Sequence, residues 1–211
     1  MKQLIILIFL LCLTGVNLFA RPISYSGGST IMSMNGPLKN SIHAHYSPTY
    51  KYSVGYKTEY IRRSQTALNG IQLNNLLKRW NLPAAQGNLY LKSSAGTVQK
   101  SGEDEVYGFI GMAGDFETRK YFASYENRYY KSDGNILNQF EQSARVGVAP
   151  YVAEYGNLHT WLMLQISHQP KFKGYQQIIT TPLIRLFKGL HMAEFGASSN
   201  KTVFFNFIAR F

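Results

Sequence analysis

The last ten residues, Thr202 to Phe211, carry the pattern that restricts the fold most. Every second residue counted back from the end is apolar: Phe211, Ala209, Phe207, Phe205 and Val203. Arg210, Asn206 and Thr202 stand among the residues between them. A period of two marks a β-strand with unlike faces. A tilted strand of about nine to eleven residues is long enough to cross a bilayer. A second run says more about the two faces. Tyr50, Tyr52, Val54, Tyr56, Thr58 and Tyr60 alternate with Lys51, Ser53, Gly55, Lys57 and Glu59. A soluble sheet buries its apolar face and wets the other. Here the apolar face is bulky and aromatic, while its opposite carries glycine, serine and charge. That arrangement suits lipid outside and a polar interior. Strands in hydrocarbon find no water for their edge groups, so they must close into a barrel.

The other end of the chain reads as an export leader. Residues 1–20 carry one charge, Lys2, then an apolar run from Leu4 to Leu13, then Gly15 and Leu18-Phe19-Ala20 before Arg21. These are the parts of a secretory signal peptide, with removal predicted after Ala20. The one cysteine, Cys12, falls inside this segment. The expected mature domain, 21–211, therefore has no disulfide to hold it. With its leader, its alternating strands and its terminal Phe, the sequence resembles the small outer-membrane β-barrel proteins of Gram-negative bacteria. The resemblance implies an all-β fold, a closed antiparallel transmembrane β-barrel, located in the outer membrane. It also implies that Phe205, Phe207 and Phe211 form an assembly signal for the barrel-insertion machinery. About 190 residues suffice for a single domain of about ten to twelve strands.

Charge and aromatic content agree with this reading. The formal net charge is +11, and loss of Lys2 with the leader makes it +10. An exported chain with dispersed charges is not expected to meet nucleic acid. Its Lys and Arg residues suit the phosphates of lipopolysaccharide instead. Fifteen Tyr and thirteen Phe suffice for aromatic girdles at both membrane interfaces. No cofactor motif is present.

Turn signals recur along the chain at Gly36-Pro37, Ser101 to Glu105, Ser132 to Asn135, Lys188-Gly189 and Ser198 to Asn200. A loop is expected from Leu82 to Gly87, and a break of phase at Asn75-Leu76-Leu77 suggests a bulge or a helical turn. If the alternation holds, the lumen receives Lys51, Lys57, Glu59, Glu126, Arg128, Glu141, Arg145, Arg185, Glu194 and Arg210. Both signs occur on neighbouring strands, so the side chains are expected to pair. The function expected is a narrow channel or a plugged structural barrel with a charged lumen.

Two further readings stay open. His43 and His45 share one face of a strand, Met32 and Met34 alternate likewise in the preceding one, and Met163 and Met192 fall on inferred lumen faces. Imidazole and thioether groups suit soft metals such as copper, which makes a binding barrel for such a metal or for lipopolysaccharide the alternative. Lipid- or peptide-hydrolysing barrels need a nucleophile beside an oriented base, or paired carboxylates. His159 near Asn157, Ser167 with His168, and the acids Asp115 and Glu117 are the candidates. None reproduces such a constellation, and no catalytic role is expected.

Overall fold

The computed structural model describes residues 23–154, 156–172 and 175–211. The expected leader lies outside them. Among the described residues there is no helix, and twelve strands are present. They are β1 (Gly28–Asn35), β2 (Lys39–Thr49), β3 (Tyr52–Ile61), β4 (Thr66–Leu82), β5 (Ala85–Lys100) and β6 (Glu103–Thr118). The second half is β7 (Tyr121–Ser132), β8 (Asn138–Val148), β9 (His159–Phe172), β10 (Tyr175–Lys188), β11 (His191–Ala197) and β12 (Val203–Arg210). Each strand pairs antiparallel with the next, and β1 pairs with β12 to close the barrel. Ser29 and Phe211 exchange both backbone hydrogen bonds at 2.9 Å, so the closing seam runs to the last residue.

The turns are tighter than the sequence suggests. The loop expected over Leu82 to Gly87 is only Pro83 and Ala84, because ladder pairing continues through Leu82↔Ala85. In the acidic turn only Ser101 and Gly102 leave the sheet. Both have positive φ, 53° and 87°, as a two-residue hairpin turn of matching twist requires. Glu105 instead joins β6 and accepts hydrogen bonds from the backbone N–H groups of Asn135 (2.9 Å) and Ile136 (3.0 Å), holding the β7–β8 turn. The phase break in β4 is a β-bulge: the register shifts between Leu76 and Lys78, leaving Leu77 as the extra residue.

Alternation divides the wall cleanly. Ile31, Ile42, Val54, Tyr56, Ile71, Ile110, Val146, Leu164, Ile184, Phe195 and Phe207 face outward and are exposed. Lys57, Glu59, Lys92, Arg128, Glu194 and Arg210 are buried on the other face. The sheet is thus apolar outside and turns its buried charges inside, the reverse of a water-soluble domain. At the end of the barrel where β1 begins and β12 ends, Ile23 turns into the mouth and packs on Tyr90 and Ala113. Toward the opposite end, Ile61, Leu68, Val98, Tyr107, Phe109, Tyr130 and Leu137 form an apolar cluster inside the barrel.

Candidate functional site in the lumen

The inward faces of β2, β3, β5, β7 and β8 build one charged cluster. The Glu59 carboxylate on β3 meets Lys57 at 2.9 Å, Lys39 at 3.1 Å and Arg128 at 3.5 Å. Lys39, at the start of β2, also pairs with Glu141 on β8. Tyr130 on β7 links the members. Its hydroxyl accepts from Lys39 at 2.8 Å and Arg128 at 3.2 Å, and lies 3.1 Å from Glu141 and 3.3 Å from Glu59. Glu126 extends the cluster to Lys92 (2.8 Å) and Arg128 (2.5 Å).

Position in the ring gives these contacts their meaning. β2 and β8 lie six strands apart in a ring of twelve, on opposite walls. The Lys39–Glu141 pair therefore crosses the full bore. The bore is bridged from wall to wall.

A second cluster occupies the other side. Glu194 on β11 accepts from Arg145 on β8 and Arg185 on β10, both at 2.7 Å, and from the Asn206 amide at 2.7 Å. Arg145 also donates to Gln165 at 3.1 Å. The guanidinium groups of Arg185 and Arg145 lie over the rings of Phe122 (4.8 Å) and Phe204 (5.8 Å). Such contacts favour Arg over Lys in a desolvated lumen. Members of both clusters line a cavity of about 290 Å³. Formally each cluster has one more cation than carboxylate: Lys39, Lys57, Lys92 and Arg128 against Glu59, Glu126 and Glu141, and Arg145 and Arg185 against Glu194.

Of the charges expected in the lumen, Lys57, Glu59, Glu126, Arg128, Glu141, Arg145, Arg185 and Glu194 join these clusters, and Arg210 is buried at the end of β12. Lys51 is the exception. It sits in the β2–β3 turn, exposed, with its ammonium 5.9 Å from the Tyr50 ring, because the strand pairing stops at Thr49↔Tyr52. Sequence reasoning passed over Lys39 and Lys92. Their parity was the available signal: Lys39 is in phase with Ser41, His43 and His45, and Lys92 with Asn88, Tyr90 and Ser94.

The candidate hydrolytic groups are dispersed. Ser167 faces the lumen, where Gln165 donates to it at 2.9 Å. His168, the next residue, has the opposite parity and contacts Gln142 at 2.9 Å. His159 lies eight residues away, about 26 Å along an extended strand, with its ring 6.3 Å from Phe187. Asn157 belongs to the 149–158 connection and Asp115 accepts from Asn88 at 2.7 Å. Asp115 and Glu117 are strand residues, since the turn itself is Arg119-Lys120.

His43 and His45 both point inward and are buried, with ring centroids 4.6 Å apart. Met32 is the direct cross-strand partner of His43, and Met34 that of Ser41. Met163 packs with Leu183 and Phe204, whereas Met192 lines the cavity.

No family model matches the sequence, and no curated protein matches it either. Among solved structures, a chain from a study of the mechanism behind the in-meso crystallization of membrane proteins is similar over 89% of this chain and 83% of its own. Identity is 12% and the TM-score is 0.47. The translocator domain of the autotransporter NalP from Neisseria meningitidis is similar over 87% of this chain and 83% of its own, with 8% identity and a TM-score of 0.37.

Proposed function

We propose that this protein is an integral outer-membrane barrel whose lumen is closed by its own side chains, a structural or binding barrel rather than a diffusion pore. The observation that carries the reading is the Lys39–Glu141 bridge across opposite walls, joined to Glu59, Arg128 and Tyr130. A bilayer location rests on the apolar outer face, which water would not tolerate over so large an area. The basic surface suits lipopolysaccharide phosphates, and the outward Phe205, Phe207 and Phe211 suit recognition by the insertion machinery. No catalytic role forms part of the proposal, since Ser167 and His168 stand on opposite faces of one strand.

Planar-bilayer recording tests the closed lumen. The refolded wild-type barrel, its folding checked by heat-modifiable gel mobility, is expected to give no steady conductance. The double variant Lys39→Ala/Glu141→Ala removes the crossbar and is expected to give resolvable steady steps. Steady, anion-leaning current through the wild type would overturn the proposal and make the protein a narrow channel.

A further inference from the structure

We propose that His43, His45 and Met32 form a lumenal binding site for a soft monovalent metal ion, of which Cu(I) is the representative. The first observation is a deficit. His43 and His45 are each only 4% exposed, yet His43 Nε2 and both ring nitrogens of His45 have no hydrogen-bond partner among the described residues. Buried polar groups are normally satisfied, because each unmet one carries a desolvation penalty. Two neighbouring imidazoles left in this way suit a ligand better than a packing role.

The second observation is register. Met32 lies directly across from His43 on β1, and direct cross-strand partners place their Cβ atoms about 4.5–5.5 Å apart. A flexible thioether spans that gap readily. His43 and His45 stand two apart on β2, so all three side chains leave the same face of one rigid wall. The cavity is lined by His43, Met32, Met34 and Met192, which gives an ion an approach and a further thioether on the same row through Ile208.

The ligand set selects the ion. Beside the two imidazoles, the donor that the β1–β2 register brings to the same face is the Met32 sulfur. Two nitrogens and a thioether, all neutral, suit a soft ion and offer a hard divalent one no countercharge. The wall is also cationic: Lys57 pairs directly with His43, and Arg210 with Thr30, the neighbour of His45. Repulsion grows with the charge of the ion, so a monovalent ion is opposed half as strongly as a divalent one. The site does not depend on whether the lumen conducts.

The test is anaerobic titration of the folded barrel with Cu(I) in competition with bicinchoninate, followed by X-ray absorption spectroscopy. Equimolar binding is expected, with both nitrogen and sulfur scatterers. His43→Asn/His45→Asn, which keeps polar groups in the lumen, is expected to lose equimolar binding. Met32→Leu, close in volume, is expected to bind more weakly and to show reduced sulfur scattering. Each variant is compared after its heat-modifiable fold is verified. Absence of equimolar binding by the folded wild type, its survival in the double Asn variant, or equally tight binding of Zn(II) overturns the proposal.

Discussion

Replacing Glu59 with Ala is expected to lower the unfolding free energy by about 3–5 kcal/mol, the usual consequence of removing one partner from a buried ionic group. The Glu59 side chain is 2% exposed and faces Lys39, Lys57 and Arg128. Lys39 and Arg128 retain other carboxylates after the change, Glu141 and Glu126 respectively. Lys57, whose side chain is 5% exposed, pairs with Glu59 alone among the described residues. The loss therefore falls mainly on one buried ammonium. The double variant Glu59→Ala/Lys57→Met removes that ammonium and is expected to recover part of the stability, a non-additivity expected of contacting residues. Urea titration in phospholipid vesicles, followed by the fluorescence of Trp80 and Trp161, measures both. A single-variant loss below about 1 kcal/mol would mean that the cluster behaves as solvated surface pairs. The closed-lumen reading would then fail.

The second large effect concerns the outer face. Leu164 lies in the middle of β9, exposed, between Val146 on β8 and Pro182 on β10. Leu164→Arg places a guanidinium against hydrocarbon and is expected to cost about 2–4 kcal/mol in vesicles. Val203 is equally outward but opens β12 at the barrel rim. Val203→Arg there is expected to cost less than about 1 kcal/mol, because the side chain reaches the interface. The contrast reports depth in a bilayer rather than general intolerance of charge. Equal costs at the two positions would argue against a membrane-embedded wall.

The residues that could be placed from sequence were those with an uninterrupted period of two. β3 is such a run, while β12 keeps its outward phase although Phe204 and Ile208 interrupt the inward one; Lys57, Glu59 and Arg210 point inward as their parity requires. Lys51 failed because parity carries no information about where pairing ends; the β2–β3 turn takes it out of the sheet. Leu77 marks another case: the broken period allowed a bulge or a helical turn, and the β4–β5 register shows the bulge. Lys39 and Lys92 were legible in principle, but only once the phase of β2 and β5 was anchored by their neighbours.

The sequence alone determined the outward face of the strands with a clear period, β3 above all, because side-chain direction in a strand follows from position modulo two. It thereby determined an all-β chain with lipid-compatible exterior and charged interior. Which charges meet was decided only by the closed sheet. Lys39 and Glu141 are 102 residues apart, and nothing local relates them. Their contact exists because twelve strands set β2 opposite β8. The same holds for Met32 and His43, whose alignment depends on the β1–β2 register. Strand number and register are properties of ring closure, so the chemistry of the lumen becomes readable only when the ring is complete.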